Sequence, residues 1–219
     1  MSSKESYYGH ERPELVELVD EGAESVLDLG CGEGAMSAAI KRDRKAREIW
    51  GVEVVTAVAD RARENPAFAQ VLAGDVAVLM PQLPDNHFSH VVAGDVLEHL
   101  VDPWQVLLEL RSKLQPGGLL ICSIPNIRNF SFIAKLLFRG RFEYKDSGVM
   151  DRTHLRFFAR ADIKKMFSDA GYEDIRIGPV RPKKNLSKRL ARWLFGDLVV
   201  KGFLITARTA QEVSAGSAT

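Results

Sequence analysis

Cysteine is scarce in this chain. Two occur in 219 residues, Cys31 and Cys122, each inside an apolar segment. That is no disulfide framework, and it suits a reducing compartment. An excess of one charge is also missing. The formal net charge is +1, so no global field draws the chain onto nucleic acid or an anionic membrane. No apolar run approaches the roughly 20 residues of a membrane span. The opening MSSKESYYGHERPE carries no apolar signal core. There is no internal repeat and no low-complexity core. These absences predict a soluble, cytoplasmic protein that does not bind nucleic acid. What is present is a hydrophobic share of 46%, typical of a globular chain with a full core.

Helical and strand patterns alternate. RPELVELVD (12–20) places Leu15, Val16, Leu18 and Val19 on a helical face. Strands are predicted at 25–29, 48–54, 68–75, 88–95 and 119–125, with helices at 34–42, 56–65 and 102–114 between them. Asp102 is placed to cap the last of these helices, with Pro103 at its first position. QPGG (115–118) reads as a tight turn. A helix over 159–171, closed by Gly171, precedes two further strands at 172–180 and 200–208. Such alternation implies an α/β fold, a mostly parallel sheet with helices on both faces. Sheets of this kind bind ligands beyond the carboxyl ends of their strands. Two segments interrupt the pattern, an aromatic-rich insertion at 126–158 and a basic stretch at 181–198. They read as a lid and an accessory helix of one domain spanning 1–210, with 211–219 as a flexible tail.

SVLDLGCGEGAM (25–36) sits at the end of the first strand. Glycine permits positive φ and close approach of a ligand, and this loop opens onto a helix N-terminus. A plain strand-to-helix turn is one reading. Gly30, Gly32 and Ala35 also satisfy a loose dinucleotide pattern, which keeps a nicotinamide-dependent oxidoreductase in view. Three carboxylates weigh against it. Asp28 lies just before the loop, where a pyrophosphate gains nothing from negative charge and a cationic ligand does. Glu53 ends the second strand, about 20 residues on, where an acid accepts from ribose hydroxyls. Asp75 ends the third strand, where a carboxylate can accept from an adenine amino group. A nucleoside with a cationic amino-acid tail fits all three.

VLDLGCGEG, GVEV, AGD, FSHVVAGDVLEHLVDP and LQPGGLLICSIPN, in this order and spacing, resemble class I S-adenosylmethionine-dependent methyltransferases. The likeness is nearest to the small-molecule branch with the ubiquinone-biosynthesis O-methyltransferases, and it covers roughly residues 7–180. It implies a Rossmann-like seven-stranded sheet whose last strand returns antiparallel, with S-adenosylmethionine as cofactor. It also implies residue roles. Gly30, Gly32 and Gly34 would shape the loop against the methionine part, with Asp28 beneath. Glu53 would hold the ribose hydroxyls with Val54 on the adenine. Asp75 would accept from the adenine amino group beside Val76, and Asp95 would lie at the mouth where the methyl group points. Plainer roles stay open: Gly34 as a helix start, and Asp75 as the cap of a short helix at 76–80.

Methyl transfer to a hydroxyl needs in-line positioning and a way to lose a proton. His99, just past the fourth strand, and His154, in the DRTHLRFF segment, are the candidate bases. Each has a structural alternative: His99 fixing the turn after the fourth strand, His154 ordering the lid against Asp151. DRTHLRFF also resembles a subset linked to surface-glycan or natural-product pathways, which implies such an intermediate as the small-molecule acceptor. No metal is expected, since Asp95 and Asn126 stand without a further acidic partner. Tyr7 and Tyr8 are placed to close over the cofactor. The lid aromatics Phe130, Phe132, Phe138, Phe142 and Tyr144 could wall an acceptor pocket or form the lid's own core. Residues 181–192 are basic enough for weak contact with a membrane surface, or are a solvated face. A catalytically silent cofactor-binding protein would keep the same loop.

Overall fold

The computed structural model describes residues 10–180 and 193–211. Tyr7, Tyr8, the basic stretch 181–192 and the tail from 212 lie outside the described residues. The short, β-branched, apolar runs form a seven-stranded sheet in the order β3-β2-β1-β4-β5-β7-β6. The strands are β1 (Ser25–Leu29), β2 (Glu48–Glu53), β3 (Gln70–Ala73), β4 (Phe88–Gly94), β5 (Leu114–Pro125), β6 (Glu173–Pro179) and β7 (Gly202–Arg208). The first five pair in parallel, and β7 runs antiparallel between β5 and β6.

Both faces are covered, which is why the central strands read as unbroken apolar runs and not as alternating ones. Every residue of β1 is buried. Leu27 and Leu29, with Val91 and Ala93 of β4, face one layer, which includes α4 (Val76–Leu79), α5 (Pro103–Lys113) and α7 (Arg160–Asp169). Val26 and Val92 face the other, formed by α1 (Pro13–Val16) and α2 (Ala35–Ala39). Helix α3 (Thr56–Arg63) turns Ala59 and Ala62 onto Cys31 and Val71. The Asp102 carboxylate accepts from Gln105 N at 3.0 Å, and Pro103 opens α5, the arrangement the sequence predicts.

Several boundaries differ. The first predicted helix shrinks to α1 and a set of turns. Predicted 34–42 becomes α2 followed by a π-turn over Ile40–Arg44. QPGG is not a free turn. It lies within β5 as a bulge, where pairing jumps from Phe88↔Leu114 to His90↔Leu119 and Gly117 takes φ 74°. The 126–158 insertion contains α6 (Phe130–Arg139), which buries none of its side chains. Phe132, Phe142, Tyr144 and Phe157 meet edge to face, with Phe142 5.5 Å from Phe132, 5.6 Å from Tyr144 and 6.1 Å from Phe157. Phe130 and Phe138 stay exposed. Of the predicted accessory helix, residues 193–195 are helical and Gly196–Val199 form a 3-10 turn. Asp197 anchors that turn by accepting both Arg160 Nε (2.8 Å) and Nη2 (2.9 Å). Among the described residues no helix is long and apolar enough to cross a membrane.

Gly34, at the N-cap of α2, has φ 87°. A Cβ there would overlap the Phe68 ring and lie 2.7 Å from Asn65 Nδ2. At Gly22 the backbone is also left-handed, φ 73°, but nothing lies within 4 Å of a built Cβ. Gly22→Ala therefore carries only the backbone cost of about 1 kcal/mol. Gly34→Ala adds overpacking of about 1–3 kcal/mol. Urea melts of both variants check this; equal losses would show that the Phe68 contact does not constrain the loop.

Candidate active site

Parallel pairing sets the C-terminal ends of the first four strands side by side. Leu29 of β1 is level with Val52 of β2 and Ala93 of β4. Glu53 is level with Ala73 of β3. The glycine loop, Glu53 with Val54, Asp75 and Asp95 therefore emerge along one rim. Gly30, Gly32 and Gly34 all have positive φ, at 67°, 56° and 87°. A Cβ at Gly30 would meet Val96 Cγ2 at 2.8 Å, so the loop packs tightly on the segment after β4.

Each acid has a distinct environment. Glu53, 4% exposed, accepts from Gly32 N at 3.1 Å on one oxygen and Val55 N at 2.9 Å on the other. An ionised carboxylate has about four lone-pair sites, so both oxygens keep capacity for a pair of hydroxyls. Val54 beside it is exposed, free to pack on a flat ring. Asp75 caps α4, accepting from Ala77 N at 2.9 Å; its side chain is exposed at the rim and Val76 is buried beneath. Asp75 thus fills the plainer of its two expected roles through Oδ1.

Asp28 does not open onto the loop surface. It is fully buried, and its Oδ2 accepts from Ser37 Oγ of α2 at 2.6 Å. Its Oδ1 has no partner. Burial, with the nearby Glu53 charge, pushes its carboxyl up to about 7 against the Ser37 bond. Its visible task is to hold α2 under the loop.

Asp95 follows β4 in a left-handed conformation, φ 55°. Its Oδ1 accepts from Ser123 Oγ at 2.6 Å, and its Oδ2 from Arg12 Nη1 at 2.8 Å. Arg12 Nη2 also donates to Ser123 Oγ at 2.9 Å. Arg12 and Ser123 drew no attention in sequence, because isolated residues far apart carry no motif. Asn126 Nδ2 donates to the carbonyls of Asp197 and Val200, each at 2.8 Å, and its Oδ1 accepts from Arg128 N at 2.9 Å.

The two candidate histidines, 55 positions apart, come together. Their rings meet edge to face at 4.7 Å. His99 lies on a 3-10 turn (Leu97–His99) immediately after Val96, the residue against Gly30. His99 Nδ1 is 3.1 Å from the Thr153 carbonyl, and His154 Nδ1 is 3.0 Å from the Val149 carbonyl. A carbonyl only accepts, so in the neutral form of each ring Nδ1 carries the proton and Nε2 the lone pair. Burial, with His154 close by, holds His99 below its ordinary value. Glu98 is the residue that sequence reasoning passed over. It is 1% exposed, both its carboxylate oxygens lack a partner, and burial raises its carboxyl well above the usual range.

The whole constellation lies within a match to the methyltransferase domain model over residues 4–177. The chain belongs to this methyltransferase family. Its cofactor is S-adenosylmethionine, and the nicotinamide alternative gains no support. The chain is 33% identical over 105 residues to a demethylmenaquinone methyltransferase of Listeria welshimeri, covering 42% of this chain and 44% of that protein. It is 26% identical over 152 residues to the mitochondrial ubiquinone biosynthesis O-methyltransferase of Candida albicans, covering 68% and 46%. The chain thus matches under half the length of either relative. Among solved structures, a SAM-dependent methyltransferase from Archaeoglobus fulgidus superposes with TM-score 0.68 at 17% identity, covering 94% of this chain and 97% of that one. Phosphoethanolamine N-methyltransferase 2 of Haemonchus contortus, in complex with S-adenosyl-L-methionine, gives 0.63 at 14%, covering 91% and 52%. These two show the fold.

The methyltransferase's buried Asp28 makes stability depend on pH. Between about pH 4 and 7 the folded chain keeps a proton that the unfolded chain has released, so Asp28's contribution is lost as pH rises through 7. Asp28→Asn mimics the protonated form. Relative to wild type, its unfolding free energy should improve by more than about 1 kcal/mol from pH 5 to pH 8. Denaturant melts at both values test it, and parallel pH curves would refute it.

Proposed function

We propose that this methyltransferase moves a methyl group from S-adenosylmethionine to a hydroxyl on a ring-bearing small molecule, such as a glycan or natural-product intermediate. The observation that carries this is the His99–His154 pair. An amine acceptor in its neutral form has a lone pair ready, whereas a hydroxyl must shed a proton in the reaction. Two imidazoles with free Nε2 lone pairs beside the rim supply a centre for that proton. The name of the Candida albicans relative, an O-methyltransferase, agrees with an oxygen acceptor.

When bound, S-adenosylmethionine supplies a methyl group on a positively charged sulfur. The chain's residues set the geometry around it. The left-handed glycine loop would allow close backbone approach, Glu53 would accept from the ribose hydroxyls, and Val54 with the Asp75–Val76 corner would flank the adenine. Arg12 and Ser123 fix the Asp95 carboxylate at the rim, where it would favour the cationic end of the cofactor. The cofactor would supply that methyl by in-line displacement, the carbon–oxygen bond forming as the carbon–sulfur bond breaks and its electron pair stays on sulfur. The hydroxyl proton leaves at the histidine pair. His154 adjoins Phe157, with centroids 6.4 Å apart, and the aromatic cluster beyond it suits a flat or sugar ring. Much of the acceleration in such a reaction comes from positioning.

S-adenosylhomocysteine at 100 times its Kd should stabilise the chain by about 2.7 kcal/mol, a midpoint shift of roughly 5–10 °C for this size. Glu53→Ala should blunt that shift, and NADH should produce none. With isotopically labelled methyl donor, matched hydroxyl and amine ring compounds are then screened. Label on amines alone, or a thermal shift with NADH alone, would overturn this reading.

A further inference from the structure

We propose that Glu98, His99 and His154 form a binding site for a first-row divalent metal cation. Each offers one ligand atom, and these atoms lie within 4.8 Å of one another. His154 Nε2 is 4.0 Å from Glu98 Oε1, too far for a hydrogen bond and close enough to share a cation.

Three further features fit a cation and are poorly explained without one. First, the Nδ1 atom of each imidazole is committed to a backbone carbonyl, Thr153 for His99 and Val149 for His154. That is how metal-ligating histidines are usually oriented: one nitrogen donates to an outer partner while the other presents its lone pair. Second, Glu98 is 1% exposed with two oxygens that no donor reaches. A buried carboxylate is costly unless paired or bound to a metal. The nearby cations are engaged elsewhere. Arg12 pairs with Asp95 and Glu14. Arg156 lies over Trp104 and donates to the Val101 carbonyl, with only its Nε left without a hydrogen-bond partner. Third, the main chain braces the site. The Glu98 carbonyl accepts from Leu155 N at 2.8 Å and Arg156 N at 3.0 Å, so the two halves of the ligand set are stitched together.

Two imidazole nitrogens and one carboxylate suit zinc, manganese, iron or cobalt better than calcium. Three protein ligands leave positions open for substrate, the pattern of catalytic sites and not of structural ones. Resting on the hydroxyl-acceptor reading, the role is plain. A hydroxyl bound to the cation gives its proton to water more readily, and its oxygen keeps the electron pair that forms the new carbon–oxygen bond. The carbon–sulfur pair still ends on sulfur. With the cation bound, His99 and His154 hold it and the hydroxyl proton passes to water; with the cation removed, the same Nε2 lone pairs are left to take that proton.

The test uses the full chain stripped with a chelator and titrated with cobalt(II) chloride, followed by the visible absorption of bound cobalt. One equivalent should bind, and zinc should displace it. Glu98→Gln, His99→Ala and His154→Ala should each weaken binding at least as much as the roughly 10–100-fold typical of losing an outer partner. Thermal shift with S-adenosylhomocysteine is run on every variant. A retained shift certifies the fold and judges the cofactor reading separately. No cobalt spectrum in wild type, or affinity unchanged in variants that still answer to S-adenosylhomocysteine, overturns the metal site alone. Cobalt bound normally without any S-adenosylhomocysteine shift would instead sink the cofactor part of the functional reading.

Discussion

Parallel pairing on both sides of β1 is the constraint from which the site follows. It brings the carboxyl ends of β1, β2 and β4 level, so whatever residues come next in the chain must share one rim. Glycine follows β1 and turns the chain left-handed into α2. Glu53 closes β2, and its carboxylate ties back onto Gly32 N. Asp95 follows β4 and is fixed by Ser123 of β5. No one of these residues makes the site. The register of the sheet does, by converting positions far apart in sequence into neighbours.

What was legible in the sequence follows from where the information lies. Buried parallel strands need continuous apolar runs, and those are visible in any single chain. The α5 cap was legible because Asp102 and Pro103 act on their own neighbours. Local signals failed where tertiary packing set the outcome. Nothing in QPGG says that β5 continues through it, since the pairing with β4 and β7 that makes it a bulge is not local. The first helix was overdrawn because apolar periodicity persists through Leu18 and Val19 while the backbone has already left the helix.

The polar groups were the hardest to read. Asp28 was placed beneath the loop, yet its partner is Ser37, nine residues on in another element. Arg12 lies 83 residues from Asp95. His99 and His154 each stood in sequence as a separate candidate, and Glu98 as a neighbour of one of them. Their convergence is a property of the insertion's path, which no spacing within either segment encodes. A missing partner, such as that of Glu98, exists only in three dimensions.

That path also changes what the insertion is. A segment of this length, rich in aromatics, between a strand and a helix invites the idea of a lid that swings freely. Its second half does not have that freedom. Leu155 and Arg156 bond to the Glu98 carbonyl, Ile127 N donates to the Phe158 carbonyl, and Thr153 orients His99. The residues around His154 are therefore fixed to the turn after β4 by main-chain bonds. The exposed apolar side chains of α6 lie earlier in the same insertion. The insertion divides accordingly into a part anchored to the turn after β4 and an outlying helix with exposed apolar side chains. Changes in α6 can then be made without disturbing the main-chain bonds that hold Glu98, His99 and His154 together.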